Sequence, residues 1–215
     1  MCPVVPPTPR GYRREMGEPG LMVDGHPVVA LGPGTWDLFA GLAERHNGVW
    51  GGCWCTHFHL YPDPKEERRE IGHRELKRRL VMAGRAHAAL VLDGDEAVAW
   101  AQFGTVEEVP NIHHRKQWEA ETTQRPDFRI TCLFVDRRYR RGGMAAVAVR
   151  GALALIARAG GGLVESYPHD LPPGKKPSSS FLYNATRTMY ERLGFTYQRP
   201  KGIGNCVMTL QVPAA

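Results

Sequence analysis

The 215-residue sequence lacks any long apolar stretch. No run approaches the ~20 apolar residues that a helix needs to span a bilayer, so we expect no membrane partner. Residues 1–7 also lack a basic start followed by an apolar core, and they do not predict a secretory signal. These absences together predict a cytoplasmic protein.

Cysteine is scarce and irregularly placed. Five cysteines, an odd number, do not make the evenly paired framework of a small disulfide-rich protein. We therefore expect mostly reduced thiols, which fits the cytoplasm. The cysteines are Cys2, Cys53, Cys55, Cys132 and Cys206.

Acidic residues are outnumbered by basic ones, 22 against 28, which gives a formal net charge of +6. A basic chain suits nucleic acid, but a basic cleft attracts any phosphate-bearing small molecule equally well. The sequence has no helix-turn-helix, zinc-finger or aromatic RNA-binding motif. We therefore expect no nucleic-acid partner.

The order of the predicted elements indicates an α+β fold. Residues 1–27 are rich in proline and predict an extended N-terminal arm, whereas residues 28–215 predict a single domain. A hairpin signal at 93–95 precedes a strand–helix–strand unit, which predicts a mixed, mostly antiparallel central sheet flanked by helices. The predicted strands are 28–31, 49–61, 88–92, 97–103, 129–135, 163–167, 195–198 and 206–212, and the predicted helices are 36–46, 65–82, 111–121, one ending near 158, and 181–193.

The strongest chemical signal is the segment LFVDRRYRRGGMA at 133–145, between a predicted central strand and the following helix. Gly142 and Gly143 carry no Cβ, so a ligand can approach this backbone closely. The N–H groups of the first helical turn and the helix dipole favour an anion there. The segment therefore predicts a phosphate-binding loop, with a basic surface loop ahead of a core helix as the alternative. It lacks the Gly-Lys-Ser/Thr of a P-loop and the three spaced glycines of a dinucleotide site.

Within this segment, residues 140–145 (RRGGMA) resemble the coenzyme-binding motif Arg/Gln-x-x-Gly-x-Gly/Ala of the GNAT superfamily of N-acetyltransferases. About forty residues later, Asn184 and then residues 190–195 (YERLGF) are similar to the second signature of that family, a helix ending in Tyr-x-x-x-Gly-Phe. Two motifs in the right order are far more specific than either one alone. The resemblance covers about residues 28–212.

The resemblance implies an enzyme that takes acetyl-CoA as cosubstrate and moves the acetyl group to a primary amine by direct transfer in a ternary complex, without a metal. It implies that the strand backbone at 133–135 holds the pantetheine arm and the acetyl carbonyl. It also implies that the N–H groups around 141–145 bind the pyrophosphate. The implied coenzyme-binding residues are Leu133, Phe134, Val135, Arg140, Arg141, Gly142, Gly143, Met144, Ala145, Asn184 and Tyr190.

The resemblance implies that Tyr190 lies near the coenzyme sulfur and protonates the departing thiolate, a sensible role for a phenol. Asn184 is implied to hydrogen-bond the coenzyme arm. Each role has a structural alternative, because Tyr190 at helical spacing suits a core residue and Asn184 suits an exposed helix position. An acyl-CoA-binding sensor without strong catalysis is the alternative function.

No motif defines the acceptor, so small amines, antibiotics and peptide amines stay open, as does a homodimer. An acceptor amine must lose a proton, and Glu165, on the strand before the 168–180 loop, is the candidate base. His57, His169 and Asp170 are further candidates for this role. The residues expected to line the acceptor pocket are Trp54, His57 and Glu165.

The segment 53–59 (CWCTHFH) places cysteine and histidine at every second position. On the strand predicted for 49–61, these four side chains would share one face. A straight strand spreads them over ~20 Å, too far for one tetrahedral ion, so we expect no metal site. We interpret them as buried thiols and packed histidines, and Cys132 as a small buried residue rather than an acetyl-carrying nucleophile.

Overall fold

The sheet is the feature that positions everything else, and the computed structural model describes residues 20–59, 65–171 and 183–215 of the chain. Eight strands lie within these residues, in the spatial order β1-β2-β3-β4-β5-β6-β8-β7. All neighbours are antiparallel except β5 and β6, which are parallel. The strands are β1 (Leu21–Val23), β2 (His26–Ala30), β3 (His87–Asp93), β4 (Glu96–Thr105), β5 (Phe128–Val135), β6 (Gly162–Ser166), β7 (Thr196–Lys201) and β8 (Asn205–Val212).

Helices cover both faces of the sheet. In the described ranges they are α1 (Trp36–Glu44), α2 (Lys65–Met82), α3 (Arg115–Glu121), α4 (Met144–Arg158) and α5 (Arg187–Arg192). Side chains of α4 and α5 form one apolar core with the sheet, and those of α1 and α2 form a second core on the opposite face. Because both faces are covered, every residue from Phe128 to Phe134 of β5 is buried.

Small residues in α4 let this helix pack very close to the sheet. An added Cβ at Gly151 would lie 2.7 Å from Cγ1 of Val28 and 3.2 Å from Cβ of Ala89. A helix held this tightly gives the loop at its N-terminus a fixed position relative to β5. The predicted phosphate-binding loop therefore stands on a rigid support.

The structure confirms the predicted fold class: a mixed, mostly antiparallel sheet flanked by helices, with the glycine loop between a central strand and the following helix. It also contains a strand or helix at every predicted place except one. The regular elements were predictable because their apolar periodicity matches the burial that the sheet imposes.

The strand predicted for 49–61 is wrong. Residues 49–59 form consecutive turns that end in a 3₁₀ helix, His57–His59, and residues 60–64 lie outside the described ranges. The backbone bonds of this segment are local, as from Trp54 N–H to the Gly48 carbonyl at 2.9 Å. Four non-glycine residues, including Trp54 and Cys55, have positive φ angles that no strand allows. The four side chains of the 53–59 pattern therefore do not share a strand face.

Two predicted boundaries differ from the observed ones. The predicted arm 1–27 reaches into the sheet, because β1 and the start of β2 form a hairpin around Asp24-Gly25, an Asp-Gly turn signal that the sequence does contain. Residues 1–19 lie outside the described ranges, as do 172–182 of the predicted loop and helix. The second difference is at the helix predicted for 181–193. This helix begins at Arg187, so Asn184 precedes it and is not a helix residue.

Within the described ranges, no helix is both long and apolar enough to cross a membrane.

Candidate active site

The candidate site lies where β5 and β6 stop pairing. Their parallel register joins Phe128 to Val164 and ends where Ile130 meets Ser166, the last residue of β6. β5 continues to Val135 without β6 beside it. The resulting gap opens between two strands at the middle of the sheet. A strand edge of this kind offers backbone N–H and C=O groups to an extended ligand.

One group on this edge already has a protein partner. The Leu133 N–H donates to the carbonyl of Tyr183 at 2.6 Å. The backbone before α5 therefore closes part of the gap. Of the three residues predicted to hold the coenzyme arm, Leu133 offers its N–H only after Tyr183 moves.

Asp136 anchors the loop that follows β5. Its buried carboxylate accepts hydrogen bonds from the Arg138 backbone N–H at 2.9 Å and from the Arg138 guanidinium, and it lies 3.4 Å from His46 Nε2. Burial by itself would raise the pKa of Asp136, but these hydrogen bonds outweigh it and lower the pKa well below its usual range. Arg138 thus pairs with both Asp136 and Glu96.

Replacing Asp136 by asparagine is expected to lower the free energy of unfolding by about 1–3 kcal/mol at pH 7, since a buried charge partner is lost. The native carboxyl has the lower pKa, so its stabilisation is complete above the unfolded value of about 4 and is lost progressively as the pH falls from there toward the native pKa. Urea unfolding of both proteins at pH 7 and pH 3 measures this, and the difference should shrink at pH 3. Exposed Asp95→Asn is the control. An equal difference at both pH values would contradict the expectation.

The glycine loop leaves open space above the start of α4. Gly143 has φ +82° and is the N-cap of α4, so no side chain caps the first helical N–H groups. A Cβ added at Gly143 would meet nothing within 4 Å. Exposed Arg137, Arg140 and Arg141 precede Gly143 in the same loop. Unpaired N–H donors, a helix dipole and guanidinium groups together fit a diphosphate.

Two buried polar atoms lie beside the gap without a hydrogen-bond partner in the described residues: the Tyr190 hydroxyl and Oδ1 of Asn184. Tyr190 is fully buried and packs its ring edge-on against Phe195, with centroids 4.9 Å apart. Burial raises the pKa of Tyr190, and nearby Ser166 opposes this only in part, so the phenol stays protonated. Such orphaned groups in a native fold call for a ligand as partner.

A cavity of about 100 Å³ adjoins the gap at Tyr183 and Asn184. Its apolar and aromatic walls are Phe58, Ile112, Tyr167 and Tyr183. Its polar lining consists of His113, His114, Asn184, Lys201 and Asn205. Sequence reasoning missed most of these residues, because they come from separate elements and follow no spacing rule.

The predicted acceptor-side residues lie around this cavity rather than in it. Glu165 is buried and accepts a hydrogen bond from Trp118 Nε1. Burial raises the pKa of Glu165, while Tyr167 and Trp118 partly oppose that rise. His57 stacks on His113, a lining residue, with ring centroids 5.0 Å apart. Trp54 instead stacks on Trp36 within the core under α1.

The further base candidates lie nearby. The His169 ring is 5.9 Å from the Tyr183 ring. Asp170 forms an ion pair with Arg187 at 3.4 Å, so its carboxylate is already neutralised. Neither residue is among those that line the cavity.

Three thiols gather around a buried lysine instead of on a strand face. Cys55 is hydrogen-bonded to Cys53 and Cys132, and all three thiols interact electrostatically with the Lys77 ammonium. The Lys77 ammonium donates to Oε1 of Gln102 at 2.6 Å and lies 3.1 Å from Nε2 of His59. In the described ranges, no three or more His, Cys, Asp or Glu side chains are arranged so that they could hold a metal ion.

Cys53 is expected to be the most reactive of these thiols. A hydrogen bond from Cys55, with help from the Lys77 charge, lowers the pKa of Cys53 to about 7 against the effect of burial. Its alkylation by iodoacetamide, followed by peptide mass spectrometry between pH 6 and pH 9, should level off above pH 7. Cys206 is the internal control, because burial raises its pKa to about 12. A Cys53 rate that still climbs steeply at pH 9 would contradict this expectation.

Comparison with solved structures shows which known proteins have a similar fold. The chain is similar to an acetyltransferase from Corynebacterium glutamicum described as a histone acetyltransferase and related acetyltransferase, with TM-score 0.50, 16% identity, and 88% of this chain and 97% of that chain covered. It is also similar to the GNAT domain of an S. lividans protein, with TM-score 0.50, 10% identity, and 89% and 95% covered. Neither a family model nor a curated protein matches the sequence.

At these identities the likeness concerns the fold, and it confirms the fold that the resemblance implied. The protein has the GNAT fold, the fold of the acetyltransferases it resembles. The glycine loop lies between β5 and α4, as the sequence predicted.

Proposed function

We propose that the protein is an acetyl-CoA-dependent N-acetyltransferase that moves an acetyl group to a primary amine by direct transfer in a ternary complex. One observation carries the proposal. The gap beside β5 opens next to two buried polar atoms, on Tyr190 and Asn184, that have no hydrogen-bond partner in the described residues, and the helix α4 that follows the same strand has an uncapped start. Each of these features fits a different part of one ligand: a diphosphate, an extended amide-bearing arm, and a thioester.

In this proposal the loop binds the diphosphate through backbone N–H groups. The candidates are those of Arg141 to Ala145, of which the Gly142 N–H now donates to the Tyr139 carbonyl at 3.4 Å, and the side chains of Arg140 and Arg141 supplement them. The open space at Gly143 supports this, since a diphosphate needs the room that a side chain would fill. Arg138 takes no part, because it is bound to Asp136 and Glu96.

The edge of β5 is proposed to hold the pantetheine arm. The backbone groups of Leu133 and Val135 would pair with the amides of the arm as a neighbouring strand does, after Tyr183 releases the Leu133 N–H. Asn184 Oδ1 would accept a hydrogen bond from the same arm, which satisfies an atom without a partner in the described part of the chain.

Tyr190 is proposed as the general acid. The bound thioester supplies an activated acetyl group, and its sulfur leaves as a thiolate when the amine attacks the carbonyl. A buried, protonated phenol beside the end of β6 is suited to give that sulfur a proton. The arrangement favours direct transfer over a cysteine intermediate, because the Cys132 thiol is buried and hydrogen-bonded to Cys55.

Glu165 is proposed to receive the amine proton indirectly. Its carboxylate does not line the cavity, but it interacts with Tyr167, which does. Burial raises the pKa of Glu165 and so makes the carboxylate a stronger base. Tyr167 would then pass the proton between the amine and Glu165, which makes Glu165 a residue that acts through another.

Calorimetry on the purified full chain tests the coenzyme part of the proposal. Acetyl-CoA should bind, and acetyl-pantetheine, which lacks the diphosphate, should bind much more weakly because the loop contributes nothing to it. Absence of acetyl-CoA binding would overturn the proposal.

A coenzyme-release assay with a panel of primary amines tests the transfer. We expect release of free thiol with at least one amine. Tight coenzyme binding without release by any amine would instead indicate an acyl-CoA-binding sensor.

A further inference from the structure

The cavity beside Asn184 has an unusual charge for a site that would receive an amine. Among the described residues that line it, none is acidic, and Lys201 is a buried lysine. Proteins usually bind the extra positive charges of polyamines and basic peptides with carboxylates, because like charges repel strongly in a buried site. This cavity offers the opposite charge.

Lys201 is held in place but not neutralised. Its side chain is 3% exposed, and Nζ donates to the carbonyl of His113 and lies 4.5 Å from the centroid of the Tyr167 ring. No ion pair of Lys201 occurs within the described ranges. An ammonium has three N–H donors, so a single carbonyl leaves donors that a ligand can use.

The other polar groups of the cavity do not supply the missing negative charge. Glu165 is the carboxylate whose charge acts on Lys201, but it accepts from Trp118 and is not among the lining residues. Burial, with the neighbouring His57 and Lys201, lowers the pKa of His113, so this imidazole is neutral at pH 7. Burial also lowers the pKa of Lys201, to about 8, which still leaves the lysine mostly charged at neutral pH.

We infer that the acceptor is a small amine that also carries a carboxylate, and that Lys201 binds this carboxylate while the amine faces the gap at Asn184. This inference rests on the proposed acetyltransferase function. Volume supports it, because a cavity of about 100 Å³ is smaller than one that encloses benzene and admits a group of a few heavy atoms. The aromatic walls Phe58, Tyr167 and Tyr183 suit the carbon skeleton of an amino acid.

A matched set of acceptors tests the charge requirement. The set pairs 4-aminobutyrate with 4-aminobutanamide and 1,4-diaminobutane, and glycine with glycinamide. We expect kcat/KM for at least one acid to exceed that of its amide by about tenfold or more, as a hydrogen-bonded charge allows, and the diamine to be the poorest acceptor. Equal rates for acids and amides, or a preference for the diamine, would overturn the inference.

Variants of Lys201 then test whether this residue causes the preference for acids over amides. Lys201→Met should reduce the acid-to-amide ratio to near one, whereas Lys201→Arg should keep most of it. Lys116→Met, which removes an exposed lysine from neighbouring α3, is the matched control and should keep all of it. The melting temperature of each variant checks the fold. An acid preference that survives in a folded Lys201→Met protein would overturn the role of Lys201.

Binding measurements separate the failure of this inference from that of the proposed function. Saturation-transfer NMR with the same acids and amides, in the presence of free coenzyme A, should detect the acids alone and lose them in Lys201→Met. If acetyl-CoA binds and only neutral or dicationic amines are acetylated or bound, the inference is wrong and the proposed function stands. If acetyl-CoA does not bind but the acids do, the proposed function is wrong and the carboxylate site stands. If neither binds, both are wrong.

Discussion

Replacing Tyr190 by phenylalanine is expected to lower kcat by about 10²-fold or more and to leave the Kd for acetyl-CoA nearly unchanged. The variant removes one oxygen atom, the proposed proton donor to the thiolate, and general acids contribute about 10²–10⁴-fold to such steps. The ring keeps its place against Phe195. Steady-state release of free thiol gives kcat, and calorimetry gives the Kd.

The stability of this variant distinguishes a catalytic from a structural Tyr190. Its hydroxyl has no partner at normal hydrogen-bond distance in the described residues and interacts only with nearby Ser166, so its removal should lower the free energy of unfolding by less than about 1 kcal/mol. Tyr197→Phe on β7, whose ring packs under Arg187, is the matched control and should keep its activity. An unchanged kcat in Tyr190→Phe would show that Tyr190 is not the acid.

Replacing Gly143 by valine is expected to raise the Kd for acetyl-CoA by about 10–100-fold. The side chain would fill the open space above the loop, and it would displace hydrogen bonds to charge, which contribute about 1.5–3 kcal/mol each. Calorimetric titration with acetyl-CoA measures the change. Binding of acetyl-pantetheine, which does not reach the loop, should change little.

Gly25→Val separates the ligand effect from backbone strain. Gly25 has φ +79°, close to the +82° of Gly143, and an added Cβ there also meets nothing within 4 Å. Valine at either position costs about 1–3 kcal/mol of strain. Only Gly143→Val should weaken coenzyme binding. Equal affinity in the two variants would count against the loop as the diphosphate site.

The fold was predictable wherever local chemistry and tertiary burial agree. The apolar run of β5, the Asp93-Gly94 hairpin and the glycines before α4 each produced the element expected of them. The segment 49–59 could not be predicted in the same way. Its aromatic residues favour strands, but its glycines permit turns, and contact of Trp54 with Trp36 stabilises the turns. Tertiary packing outweighs propensity there.

The coenzyme side and the acceptor side of the candidate site also differ in how far the sequence predicts them. The coenzyme side was predictable because a loop, a helix start and two motif residues lie close together in sequence. The acceptor side was not, because Phe58, Tyr167 and Lys201 are far apart in the chain and meet only after folding. Glu165 and Trp54 were reasonable expectations by residue type, yet α3 and α1 enclose them.

Tyr183 belongs to both sides. Its carbonyl accepts from Leu133 on the edge of β5, and its ring forms one wall of the cavity. A coenzyme arm that pairs with Leu133 must first displace this carbonyl, and the wall moves with it. The acceptor cavity would then reach its working shape only after the coenzyme has entered, which makes the kinetic mechanism a compulsory order of addition with the thioester first.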